Sequence, residues 1–133
     1  MSAFSRDCLS GKTILITGGL GAIGKVVVAH LLAHAAQVAV NDFVPEEDAQ
    51  RQIAEAGWPL DRCHYVDADM TKPDLVKSLI GRTVDRFGRL DVALCHAGIV
   101  VSGPVLALGS IPQKKKLFNS NFYVAHPAGS SGL

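Results

Sequence analysis

The sequence predicts a doubly wound α/β domain, in which a parallel sheet carries helices on both faces. Two observations carry this prediction: strands and helices alternate four times along the chain, and a glycine-rich turn follows the first strand. Alternation of this kind produces parallel strands that are joined by right-handed crossovers. We expect the strand order 3-2-1-4, with the fourth strand–helix unit as the last one in the sequence.

The first strand and helix are the clearest elements. Residues 13–17 form a continuous apolar run, which is typical of a strand that is buried on both faces. Apolar residues then recur at spacings of three and four and predict a helix. We expect its buried face to comprise Ala22, Ile23, Val26, Val27, Leu31 and Leu32.

The second unit begins with a buried strand over residues 38–40 that ends in Asn41 and Asp42. Pro45 and the acidic residues after it predict the start of a helix, because proline has a suitable φ and acids favour the helix dipole. Gly57 ends this helix, and residues 63–68 form the third strand.

The remaining elements follow in the same alternation. Residues 71–74 resemble a capping box that opens a helix. Residues 90–94 predict the fourth strand, and residues 113–126 a last helix after a loop rich in Gly, Pro and Ser. We expect the third helix to bury Leu75, Leu79, Ile80, Val84 and Phe87.

Composition excludes several classes of protein. The 133 residues carry 13 Lys and Arg against 12 Asp and Glu, so the net charge of +1 predicts no nucleic-acid or membrane partner. No apolar run reaches the roughly 18–20 residues that span a bilayer. The three cysteines are widely spaced, which predicts no disulfide framework, no metal site and a cytoplasmic location.

The glycine-rich turn is the motif with a chemical meaning. Gly19, Gly21 and Gly24 follow the first strand and open the first helix. Glycines there let the backbone approach a pyrophosphate, whose charge then faces a helix N-terminus. Asp42 follows 18 residues after Gly24 and can accept hydrogen bonds from an adenosine ribose. Together these features predict dinucleotide binding.

Asp42 also predicts NAD rather than NADP as the preferred cofactor. A carboxylate repels a 2′-phosphate, and Phe43 stands where an arginine or lysine would bind that phosphate. Gly21 offers no basic side chain either. Lys25 is the nearest cation, and we interpret it as a solvated helix residue.

At this point the sequence resembles the short-chain dehydrogenase/reductase family, with its Rossmann-like fold. The matching segments are residues 11–19, Asp42, residues 69–71, 86–91 and 95–98, within a domain over residues 10–126. The resemblance implies that the glycine turn holds the pyrophosphate and that Asp42 holds the adenosine ribose. It also implies that residues 69–70 border the adenine and that residues 96–98 lie along the cofactor. The expected cofactor-binding residues are Gly18, Gly19, Leu20, Gly21, Ile23, Gly24, Asp42, Phe43, Asp69, Met70, His96, Ala97 and Gly98.

Departures from the family pattern concern both the turns and the catalytic residues. Ala22 and Ala35 stand where glycines are common, and Cys95-His96 replaces an asparagine pair. The family catalyses with a serine and a Tyr-x-x-x-Lys pair, and neither tyrosine of this chain has a lysine four residues later. Asn121 resembles the family's supporting catalytic asparagine, and we expect the other catalytic residues to lie beyond residue 133.

These observations predict the cofactor-binding portion of an NAD-dependent oxidoreductase that interconverts alcohol and ketone, inactive by itself. The alternatives are a non-catalytic nucleotide-binding module and a fragment of an extended-branch epimerase or dehydratase. Residues 127–133 are expected to form a flexible tail. The edge of the fourth strand, without a fifth, is expected to cause marginal stability or self-association with a second chain.

Overall fold

The computed structural model describes residues 5–98, and it confirms the predicted fold class. Four strands, β1 (Thr13–Thr17), β2 (Gln37–Asp42), β3 (Cys63–Asp67) and β4 (Val92–Leu94), alternate with three helices, α1 (Ala22–Ala33), α2 (Glu46–Ala56) and α3 (Pro73–Phe87). The sheet has the order β3-β2-β1-β4, and each of its neighbouring pairs is parallel. The predicted last helix, the tail and Asn121 lie outside the described residues.

Two apolar clusters lie on opposite faces of the sheet. One cluster joins alternate residues of β1, β2 and β3 to α1 and α2, with Ile16, Val40 and Ile53 among its most buried members. The other joins the opposite face to α3 around Leu15, Val66 and Leu79. Because β1 and the middle of β2 are covered on both faces, their sequences are apolar runs.

The buried face of α1 differs from the predicted one. Val28, Leu32 and Gly24 face the sheet, whereas Ile23 and Val26 are 67% and 69% exposed. This helix is apolar on most sides, so apolar spacing alone does not define its inner face. Gly24 decides the orientation, because its missing side chain lets the helix start close to the turn that follows β1.

The start and the inner face of α3 are also shifted. The helix begins at Pro73 after Lys72. The predicted capping box is wrong, because Thr71 makes hydrogen bonds with Asp69 instead. The N–H and the hydroxyl of Thr71 donate to Oδ1 of Asp69 at 2.9 and 2.7 Å. An Asx-type turn of this kind competes with a helix cap. The predicted inner residues Leu75, Ile80 and Val84 are all more than one-third exposed, and the buried ones are Val76, Leu79 and Thr83.

Candidate nucleotide-binding site

The carboxyl ends of the parallel strands meet at one edge of the sheet, and the predicted site segments lie there. The glycine turn follows β1, Asp42 ends β2, Asp69 comes two residues after β3, and His96 comes two residues after β4. In open α/β sheets this edge is where ligands bind. The fold therefore brings together four segments that are far apart in the sequence.

Three glycines of the turn are required by the protein's own packing. Gly18 has a φ of +69°, and a Cβ on it would lie 3.0 Å from the Cα of Ala97. A Cβ on Gly19 would lie 2.6 Å from Cγ1 of Val40, and one on Gly24 would lie 2.2 Å from the carbonyl oxygen of Gly18. No side chain fits at these three positions without movement of the backbone or the core.

Gly21 is different, because its neighbours do not require a glycine. Its φ of −72° and ψ of 172° are accessible to any residue, and a Cβ would come no closer than 3.5 Å to an atom in residues 5–98, the carbonyl oxygen of Gly18. Gly21 precedes the first turn of α1, which carries no acidic residue and, within the described chain, no side-chain cap. The backbone at Gly21 is therefore open to a ligand, and the helix N-terminus suits an anion. The residues present therefore fit a pyrophosphate group.

The Asp42 carboxylate connects the end of β2 to the glycine turn. Its Oδ2 accepts a hydrogen bond from the Leu20 N–H at 2.9 Å, and its Oδ1 accepts one from the Phe43 N–H at 2.7 Å. An ionised carboxylate has about four acceptor positions, so each oxygen retains capacity for a hydroxyl donor. The side chain of Phe43 is 76% exposed beside it.

Asn41 joins three of the four site segments, a role that the sequence analysis did not assign to it. Its buried side-chain amide donates to the carbonyl oxygens of Val66 at 2.9 Å and Ala68 at 3.2 Å. Its own carbonyl accepts from the Gly19 N–H at 3.0 Å. A buried asparagine in an apolar strand needs such partners, and this requirement is the signal that could have identified it.

The segment after β3 is held by its own side chains. Hydrogen bonds from the hydroxyl and the N–H of Thr71 lower the pKa of Asp69 and keep it ionised. Asp69 and Met70 are both half-buried, and Met70 packs against the apolar cluster under α3. This segment thus borders the site with a fixed carboxylate next to an apolar side chain.

The turn after β4 packs against the glycine turn. The hydroxyl of Thr17 accepts a hydrogen bond from the Ala97 N–H at 3.0 Å, and Gly18 lies directly against Ala97. His96 and Gly98 are exposed. A cleft of about 280 Å³ lies beside this turn, lined by Ile16, Val27, Leu94, Cys95 and His96. Ile23, a predicted contact residue, is exposed on the first turn of α1.

The part of the chain that the structure describes contains neither a candidate metal-binding cluster nor a candidate membrane-spanning helix. Residues 5–98 hold no group of three or more His, Cys, Asp or Glu side chains that could bind a metal ion. Within the same residues no helix is long and apolar enough to cross a membrane.

Comparison with known proteins agrees with this geometry. The family model described as short chain dehydrogenase matches residues 12–125, so the chain belongs to the short-chain dehydrogenase family. It is 35% identical over 113 residues to 2,5-dichloro-2,5-cyclohexadiene-1,4-diol dehydrogenase of Sphingobium indicum. That alignment covers 85% of this chain and 44% of the relative, so the chain spans less than half of the relative's length.

Two solved structures share the fold. A 3-ketoacyl-(acyl-carrier-protein) reductase from Brucella melitensis, complexed with NADH, superposes with a TM-score of 0.80 at 24% identity, over 92% of this chain and 49% of the other. A variant of ElxO with NADPH bound superposes with a TM-score of 0.77 at 28% identity, over 86% and 46%. Both likenesses agree with a Rossmann-like sheet in the order 3-2-1-4.

Proposed function

We propose that this chain is the cofactor-binding part of an NAD-dependent short-chain oxidoreductase that interconverts an alcohol and a ketone. The observation that carries the proposal is the Asp42 carboxylate, which is bonded to the glycine turn through Leu20 and has acceptor capacity left over. The relative from Sphingobium indicum is a diol dehydrogenase, which supports an alcohol as the substrate class.

Each segment of the site has a part in the proposed binding. The backbone from Gly18 to Gly24 would hold the pyrophosphate, and Asp42 would accept hydrogen bonds from the adenosine ribose. Asp69 and Met70 would border the adenine, and residues 96–98 would lie along the cofactor. When bound, a nicotinamide dinucleotide donates or accepts the hydride, and the protein supplies orientation.

The preference for NAD depends on residues of this chain rather than on the fold. The two structural neighbours were solved with different cofactors, one with NADH and one with NADPH. Here the carboxylate of Asp42 would repel a 2′-phosphate, and the exposed Phe43 next to it supplies no positive charge. We therefore expect tighter binding of NAD.

Replacing Asp42 by alanine tests this proposal. Asp42→Ala should weaken NAD binding by about 1–3 kcal/mol, because the ribose loses a charged acceptor, and should reduce the preference over NADP. Asp67→Ala is the matched control: it removes the same charge from the end of the neighbouring strand, where Asp67 pairs in register with Asp42. Calorimetric titration of each variant with NAD and NADP gives the result. Tighter binding of NADP by the unmodified chain would contradict the proposal.

A non-catalytic nucleotide-binding module is the second candidate function. It is favoured by the tyrosines: Tyr65 precedes Asp69 and Tyr123 precedes Pro127 at the spacing where the family has lysine. Of the family's catalytic residues we assign Asn121 alone, in a supporting role. We further propose that the domain spans residues 10–126, that the protein is cytoplasmic, and that self-association occurs through the edge of β4.

A further inference from the structure

The hydroxyl group of Tyr65 lies against the loop that begins with Asp42. The tyrosine is 2% exposed in the middle of β3, and its ring belongs to the apolar cluster under α1 and α2. Its oxygen lies 2.7 Å from the carbonyl oxygen of Val44 and 3.0 Å from that of Asp42. The N–H of Val44 points back to the same oxygen at 3.4 Å.

These contacts constrain the main chain on both sides of Phe43. The single hydroxyl hydrogen is donated to the nearer carbonyl, that of Val44, with the Asp42 carbonyl as a second acceptor. A phenylalanine ring would fill the same space in the core, so packing requires the ring but not the oxygen. The oxygen contributes its hydrogen bonds to the loop over residues 42–44.

The loop matters because it sets the direction of the Asp42 carboxylate. That carboxylate accepts hydrogen bonds from the N–H groups of Leu20 and Phe43, one on each oxygen. If the main chain at residues 42–44 turns, the Phe43 N–H moves and the carboxylate rotates with it. By holding the carbonyls of Asp42 and Val44, the Tyr65 hydroxyl therefore also fixes the direction of the Asp42 carboxylate. The acceptor positions of that carboxylate that are still free for a ligand are oriented with it.

We propose that Tyr65 is a positioning residue that holds the loop over residues 42–44, so that Asp42 selects a ribose with a free 2′-hydroxyl over one with a 2′-phosphate. This inference rests on the proposed function of Asp42. The residue lies 23 positions from Asp42 in the sequence and is buried, so the proposed role acts through the loop. Burial raises the pKa of Tyr65 to about 12, so the hydroxyl keeps its proton at neutral pH.

Binding of two small nucleotides to the full chain tests the inference. Adenosine 5′-monophosphate has a free 2′-hydroxyl, and adenosine 2′,5′-bisphosphate has a phosphate there. In Tyr65→Phe, the affinity for the monophosphate should fall about three- to tenfold while that for the bisphosphate stays or rises, so their ratio falls. An unchanged ratio would overturn the inference.

Thr83→Val is the matched control variant. It removes another fully buried hydroxyl, which donates to the Leu79 carbonyl at 2.8 Å within α3, on the opposite face of the sheet. This variant should lower the midpoint of thermal unfolding but keep the ratio of affinities. A fall of the ratio in both variants would indicate general loosening of the fold and would also overturn the inference.

Hydrogen exchange supplies a readout without any ligand. In Tyr65→Phe the amides of Phe43 and Val44 should exchange faster, and in Thr83→Val they should not. Unchanged exchange at these two amides contradicts the positioning role by itself. Equal affinity of the unmodified chain for the two nucleotides would instead contradict the selectivity proposed for Asp42, so the two proposals fail in distinguishable ways.

Discussion

At the scale of single residues, Ala35 occupies a backbone conformation that favours glycine. Its φ is +68°, and it follows the end of α1 with two hydrogen bonds typical of a Schellman turn: its own N–H donates to Leu32 and the N–H of Ala36 donates to Leu31. Ala35 stands where glycine is common in the family pattern. The positive φ explains it, because a Cβ is unfavourable in the left-handed region.

We predict that Ala35→Gly raises the free energy of unfolding. Relief of the left-handed Cβ contact is worth about 1–2 kcal/mol, and the greater freedom of glycine in the unfolded chain offsets roughly 0.4–1 kcal/mol of it. The net gain should be about 0.5–1 kcal/mol in urea unfolding. The control is Ala33→Gly at an exposed helical position, which should lower stability by about 0.5–1 kcal/mol. A loss of stability in both variants would show that strain at Ala35 is negligible.

At the scale of elements, strands were more predictable than helix faces. β1 and the middle of β2 are apolar runs because both faces of the sheet are covered. The predicted bounds agree with the structure to within one residue for β1 and β3. Helix faces depend on partners that are distant in sequence, and in α1 the backbone contact of Gly24 decides which residues face inward. In the site, the spacing of the glycines and Asp42 could be recognised in the sequence. The roles of Asn41 and Tyr65 could not, because they depend on hydrogen bonds between residues 21 to 27 positions apart.

The start of β4 is attached to β1 by Asp91 rather than by apolar burial. Its Oδ2 accepts from the Thr13 N–H at 2.8 Å, its own N–H donates to the Thr13 carbonyl at 2.9 Å, and Arg89 bonds to both of its carboxylate oxygens. The hydrogen bonds from Arg89 and Thr13 lower the pKa of Asp91 below its ordinary value of 3.8. β4 is short and mostly exposed, and these polar contacts add to its parallel backbone pairing with β1.

We predict that Asp91→Asn lowers the stability of the chain at neutral pH and that this difference shrinks in acid. Because the pKa of Asp91 is lower in the folded chain, its stabilising contribution is complete above 3.8 and is lost as the pH falls through the folded value. Urea midpoints at neutral pH and at decreasing acid pH measure the difference. Asp61→Asn, at an exposed loop position, is the control for the change of charge. If the difference in urea midpoint between Asp91→Asn and the unmodified chain did not change with pH, the pairing of Asp91 with Arg89 would be contradicted.

At the scale of the whole molecule, the carboxyl edge of the sheet in residues 5–98 provides binding groups but not the Tyr-x-x-x-Lys pair of the family. This edge holds glycines, Asp42 and Asp69, and the buried Tyr65 has its hydroxyl committed to the loop over residues 42–44. A tyrosine acts as general acid in this chemistry only when a neighbouring cation lowers its pKa. Here burial raises the pKa of Tyr65 to about 12, the opposite direction. Tyr65 is thus not suited to act as the proton-transferring tyrosine of this chemistry.

The last prediction is that the 133-residue chain binds NAD but does not oxidise alcohols at an enzyme-like rate. Neither tyrosine has a lysine four residues later. Without a positioned acid or base, proton transfer loses roughly 10²–10⁴ in rate. Incubation with NAD and a panel of secondary alcohols should give no NADH absorbance above buffer. NAD binding is measured on the same sample by calorimetric titration, so that inactivity is not mistaken for unfolding. Steady turnover that survives repurification would contradict the prediction and would require an acid or base among residues other than the two tyrosines.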